Sequence, residues 1–142
     1  MINLDLEKMA SAKIGYCSAT ITSGTGATIL DREMGTAITI PADAYPVGFE
    51  FSLFGSTNLT AGQNLLVGTV TDTDHYVTAA KAVSTTSLNA GNVIFVPIET
   101  ATNIYSTATT LYCDAGADIT AGSVRIAVQY REGLSMPIDC NL

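Results

Sequence analysis

The chain predicts an all-β fold, an antiparallel β-sandwich of jelly-roll-like character preceded by a short N-terminal arm or helix. Three observations carry this expectation. Apolar residues recur with period two, turn-forming clusters recur every eight to fifteen residues, and no amphipathic helical pattern follows residue 13. Successive side chains of a strand point to opposite faces, so alternation marks a strand with one face in a core. Turn clusters at this spacing, with β-branched residues between them, are the pattern of sandwiches and jelly rolls. A chain of 142 residues is one domain by size, long enough to bury about 68–70% of its unfolded surface.

The first thirteen residues stand apart. Their charge density is high, and Leu4, Leu6, Glu7, Lys8 and Met9 fit neither a clean helix nor a clean strand. They are assigned to an arm or short helix, and residues 14–142 to a single β-sandwich domain. Beyond them, Cys17, Ala19 and Ile21 face one way while Ser18, Thr20 and Thr22 face the other. Ile38 and Ile40 flank Thr39 in the next strand. Val47, Phe49, Phe51 and Leu53 alternate with Gly48, Glu50 and Ser52, the strongest strand signal in the chain. The run Val93, Ile94, Phe95, Val96 is apolar on both faces and is expected centrally in a sheet or within an interface. Val124, Ile126, Val128 and Tyr130 alternate with Arg125, Ala127, Gln129 and Arg131 to form the last strand. Residues 23–26, 31–35, 41–46, 72–74 and 114–116, rich in Gly, Pro, Asp and Ser, read as the turns between strands.

One turn-like phrase occurs three times: Asn58-Leu59-Thr60-Ala61-Gly62, Ser87-Leu88-Asn89-Ala90-Gly91 and Asp118-Ile119-Thr120-Ala121-Gly122. Each precedes an apolar run. Asn, Ser and Asp favour the first position of a type I turn, and glycine reaches the left-handed backbone region without a Cβ penalty. A four- or five-residue hairpin loop with a glycine bulge fits all three, with Gly62, Gly91 and Gly122 as structural turn residues. Leu59, Leu88 and Ile119 are expected to cover the end of the core. The sequences between the copies do not match, which favours recurrent hairpin chemistry over a solenoid repeat.

Charged residues make up 13% of the chain, against about 25% in an ordinary soluble domain. Thr, Ala, Ser and Gly stand in their place. A surface this poor in charge is the kind that neighbouring subunits cover. The net charge of −7 comes from 13 acidic and 6 basic residues. Three lysines and three arginines scattered along the sequence build no basic stripe, so neither nucleic acid nor an anionic membrane is an expected partner.

Cys17, Cys113 and Cys140 are odd in number and lack the C-x-x-C spacing of a zinc site. The acidic start is followed by no apolar signal core, and no run approaches the ~18 apolar residues of a membrane span. Synthesis in a reducing cytoplasm is expected, with reduced thiols; one disulfide forming later outside the cell is the alternative.

Residues that could carry chemistry are isolated. His75, the single histidine, lies between Asp72, Asp74 and Tyr76 without the further ligands a metal needs. It is also the only base available to a serine or cysteine nucleophile, and no G-x-S-x-G occurs. Cys17 and Cys113 occupy period-two positions where a small buried residue is the common role. The glycines near Ser23 lack the third glycine of a dinucleotide fingerprint and the lysine of a phosphate loop. Glu50, Glu99, Asp114 and Asp118 are the carboxylates a glycosidase would pair, but Trp is absent and few aromatics exist to line a sugar cleft. No catalytic residue, cofactor site or metal site is assigned.

The stretch from Asp118 to Arg131, preceded by Ile104-Tyr105-Ser106-Thr107-Ala108-Thr109-Thr110-Leu111-Tyr112, resembles the ending of small β-sandwich virion proteins of tailed bacteriophages. In these a T-A-G turn launches a final alternating strand that ends in Tyr-Arg. The resemblance covers roughly residues 58–131. It implies a non-enzymatic virion protein of the capsid decoration (cement) type, made in the host cytoplasm. The partners it implies are the major capsid protein or other virion proteins, bound by a homo-oligomer, typically a trimer. On that reading Ile2, Leu4, Leu6 and Met9 are candidate capsid-binding side chains. The alternatives are a tail or neck component and a receptor- or glycan-binding module using exposed tyrosines.

Overall fold

The computed structural model describes residues 11–17, 26–98 and 106–132. The expected docking residues Ile2, Leu4, Leu6 and Met9, most of the 23–26 turn, Glu99, Tyr105 and Cys140 lie outside them.

Among the described residues, thirteen strands follow in order: β1 (Ser11–Cys17), β2 (Ala27–Thr28), β3 (Leu30–Asp31), β4 (Thr39–Ile40), β5 (Ala44–Leu53), β6 (Thr60–Ala61) and β7 (Asn64–Gly68). After them come β8 (Val83–Ser84), β9 (Ile94–Pro97), β10 (Thr109–Thr110), β11 (Tyr112–Asp114), β12 (Ile119–Ala121) and β13 (Val124–Glu132). Two 3-10 turns, Ala79–Lys81 and Thr85–Ser87, are the helical elements among the described residues. One sheet has the order β3-β1-β13-β5-β9 and a second the order β2-β11-β7-β8; two small ladders, β10-β4 and β12-β6, complete an all-β, antiparallel sandwich.

The period-two expectation places the core well. Phe49, Phe51 and Leu53 from β5 and Val124, Ile126, Val128 and Tyr130 from β13 are buried, in one core with Leu65, Val67 and Cys113 of the second sheet and Leu111 between β10 and β11. Each such side chain contributes about 1.5–3 kcal/mol by leaving water. Ser11, Ala12 and Lys13, expected in the arm, instead open β1 and pair with Tyr130, Gln129 and Val128.

Two of the three repeated phrases are not hairpins. Thr60–Ala61 and Ile119–Ala121 pair with each other, with Ile119 opposite Ala61 and Ala121 opposite Thr60. They join longer partners on both sides: β5 pairs with β13 in the first sheet and β7 with β11 in the second. Residues 44–68 and 112–132 thus form one antiparallel ribbon that bends from sheet to sheet at the β6–β12 ladder. Gly62 and Gly122 sit at the bend with φ of +73° and +80°. Each also lies close against the other strand of the ribbon. A Cβ on Gly62 would come 3.0 Å from Ile119 Cγ1, and one on Gly122 would come 2.9 Å from the carbonyl oxygens of Thr57 and Asn58. Ala61 shares the left-handed region at φ +61°.

The middle copy does form a turn. Asn92 N–H donates to the Asn89 carbonyl, Asn92 Oδ1 accepts from Asn89 N–H, and Asn92 Nδ2 donates to Ser87 O. Gly91 has φ +89° but open space around it. Leu88 and Ile119 are fully buried and Leu59 packs against the core.

This contrast sets a stability test. Gly91→Ala carries only the left-handed penalty, about 1–2 kcal/mol. Gly122→Ala adds the overlap with two carbonyl oxygens, a further cost of about 1–3 kcal/mol. Urea unfolding followed by circular dichroism should place Gly122→Ala well below Gly91→Ala; equal midpoints would contradict the tight corner.

Candidate functional site

The residues examined for chemistry are held as structural elements. The 69–75 loop folds back so tightly that a Cβ on Gly68 would overlap the Asp72 and Thr73 backbone. Thr69 N–H donates to Asp72 O, Asp72 N–H to Thr69 O and Oγ1, and His75 N–H to Asp72 O. The His75 ring then sits 3.2 Å from Asp72 Oδ2 and edge-on to Tyr76 at 4.7 Å. No group of three potential metal ligands occurs among the described residues.

The carboxylates are dispersed. Glu50 is on β5 of the five-stranded sheet, where Oε1 accepts from Gln129 Nε2 at 3.4 Å. Asp114 is buried on β11 of the other sheet, its Oδ1 taking the Gly116 N–H at 2.8 Å. Asp118 is exposed ahead of β12. Cys113 is a fully buried free thiol within β11.

The feature that stands out is the outer face of the five-stranded sheet. Directly opposed residues in antiparallel strands share a face. The register gives one row of Ile14, Ala127, Glu50 and Phe95, flanked by Gln129, Gly48 and Pro97 on one side and by Arg125 and Ser52 on the other. Phe95 is 48% exposed and its ring lies over Gly48, where a Cβ would fall 2.4 Å from the ring. The glycine makes room for the aromatic ring.

Val93, just before β9, is 60% exposed, and Ile14 and Phe54 are also exposed. The Arg32 guanidinium lies 5.5 Å from the centre of the Phe54 ring, within cation–π range. Arg125 is half-buried, its Nε sealed from solvent without an acceptor. Arg131 is exposed at the end of the same face.

Of the two expectations for residues 93–96, a central place in a sheet or a place in an interface, the first is corrected. β9 is the edge of the five-stranded sheet, and only its inward residue Val96 is buried. A run apolar on both faces reads the same from sequence whether its outer face meets a protein layer or open solvent. Ile98 N–H donates to Val47 O; by ladder alternation the backbone groups of Pro97 point away from β5. Proline's missing N–H is thus spent on the open edge, where strand prolines are tolerated.

Truncation should separate the two sides of this sheet. Phe51→Ala, in the sealed core, should cost about 3–5 kcal/mol. Phe95→Ala, at a ring about half exposed, should cost about 1 kcal/mol. Denaturant midpoints of the isolated chain check this; comparable losses would mean that Phe95 is already covered.

No family description matches this chain, and no curated protein does. Among solved structures, a chain from the capsid of Ralstonia phage GP4 superposes with a TM-score of 0.58 at 15% identity, covering 89% of this chain and 86% of that one. A chain of the cyanophage Pam1 capsid asymmetric unit aligns over 86% of this chain and 85% of that one at 21% identity, with a TM-score of 0.49. At such identities the likeness to the Ralstonia phage chain is a likeness of fold.

Proposed function

We propose that this chain is a non-enzymatic structural protein of a bacteriophage virion, a capsid decoration (cement) protein that stabilises the shell by binding capsid subunits as an oligomer, a trimer. The observation that carries the reading is the fold shared, over nearly the whole of both chains, with a component of the Ralstonia phage GP4 capsid. Fold alone does not fix function. The surface adds an independent argument, because a sheet face on which Ile14, Phe95 and Pro97 are exposed among the described residues is suited to burial against protein. Cement function needs area and shape rather than titratable groups, and the carboxylates and His75 are separated or locked into local turns.

Ile2, Leu4, Leu6 and Met9 precede β1 and are assigned the contact with the capsid subunit. Removing residues 1–10 leaves every residue of the described β1 (Ser11–Cys17) in place. The full chain should co-sediment with undecorated capsids of the phage that encodes it. The 1–10 deletion should bind at least about tenfold more weakly, the loss expected when two or three apolar anchors go, with an unchanged thermal midpoint. Equal binding by both would remove the arm from the account. A full chain that ignores capsids but binds glycans through tyrosines would replace the cement reading with that of a receptor-binding module.

A further inference from the structure

We propose that Arg125 is a binding residue of the outer sheet face, its guanidinium left open in this chain to receive a carboxylate from a capsid subunit. This rests on the virion role proposed above and adds to it a residue and the chemistry of the contact.

Arg125 lies on β13 opposite Tyr16 of β1 and Ser52 of β5. It is half-buried, and its Nε–H is closed to water without meeting an acceptor. Among the described residues it is the one buried side-chain nitrogen or oxygen in that situation. A donor withdrawn from water and left unpaired destabilises a fold, and native structures hold few of them. Carboxylates lie on the same face. Glu50, on the next outer rung of β5, accepts from Gln129 Nε2 instead. Glu33 beside Arg32 and Asp43 ahead of β5 are exposed at its margins, and neither takes the Arg125 Nε–H. The chain thus keeps an arginine here against its own stability, where Met would cover the same strands without an unmet donor.

The chemistry of the group names what it takes. A guanidinium presents its donors in a planar fork that matches the two oxygens of a carboxylate. The Arg125 Nη nitrogens are not closed off as Nε is, so a carboxylate meets them first and reaches Nε on a small rotation of the side chain. Arg32 lies over Phe54, and the Phe54 N–H continues the β5–β13 ladder at Ser123 O. A second positive charge therefore stands near the neighbouring rung, which favours an anionic group over a neutral acceptor. A phosphate polyanion fits poorly, because the chain's net charge of −7 repels it. A carboxylate side chain on a protein fits both the fork and the charge, and the capsid subunit is the protein that the virion role supplies.

Arg125→Met keeps an unbranched stem and removes the donors, so it separates binding from folding. Co-sedimentation of the full chain with undecorated capsids should weaken at least about tenfold. Circular dichroism should stay unchanged, with a thermal midpoint equal to wild type or higher. Wild-type capsid binding by Arg125→Met would overturn the assignment and leave the virion role standing. A lowered midpoint would overturn it too, because the guanidinium would then support the fold. If sedimentation velocity shows self-association falling while capsid binding holds, the carboxylate belongs to a second copy and the capsid assignment fails. Inorganic phosphate that raises the wild-type midpoint and not that of Arg125→Met would put a free oxyanion in place of the carboxylate. A full chain that ignores capsids removes both this contact and the virion role.

Discussion

A strand that passes from one sheet of a sandwich to the other has to bend sharply while keeping its backbone hydrogen bonds, and here two such strands bend side by side. Gly62 and Gly122 occupy the bend, each in the left-handed region and each pressed against the opposite strand of the ribbon. Sheet-switching strands bend at bulges or kinks, and the β6–β12 ladder carries a register shift between Ile119 and Ala121. The surrounding bonds hold the corner in place: Gln63 N–H donates to Ala115 O, Thr85 bonds Gln63 O through both N–H and Oγ1, and Thr120 Oγ1 donates to Thr60 O. Everything downstream depends on this geometry. The ribbon sets β5 beside β13, their inward residues build the core, and their outward residues build the exposed face.

The repeated phrase was visible in the sequence, but its meaning was not. Hairpin chemistry and corner chemistry both call for a glycine with positive φ, so Gly62, Gly91 and Gly122 look equivalent when read singly. The discriminating residue is two positions earlier. Thr60 and Thr120 are β-branched and suit a pleated strand, whereas Asn89 bonds its own backbone readily and suits a turn. The structure follows that division. That Thr60 faces Thr120's strand required knowing a pairing sixty residues apart in the chain, and local pattern does not encode it. The alternation of β5 and β13, by contrast, was legible because burial on one face imposes it directly.

Legibility failed differently at β9. Its apolar run signals burial on both faces, and among the described residues one of those faces stays exposed. The run by itself does not tell whether its second face is covered. The same applies to the scarcity of charge. In the sequence the three arginines are scattered, at positions 32, 125 and 131; alternation along β13 and the packing of Arg32 on Phe54 gather them to one side.

An open sheet edge is a hazard, because unpaired strand groups invite further strands and so fibres. β9 carries two devices that meet it. Pro97 removes a donor from the outward side of the edge, and β5 beneath it contains an extra residue at Val47, the register slipping between Gln129 opposite Gly48 and Tyr130 opposite Pro46. Bulges of this kind increase local twist and disturb regular pairing. Meanwhile the Phe95 ring lies over Gly48 on the sheet face and stays about half exposed, at 48%. The strand is therefore poor at extending the sheet and good at presenting a hydrophobic surface above it. That division, a blunted edge beside an available face, is what a protein needs if it is to bind neighbours through side chains and stop at a finite assembly.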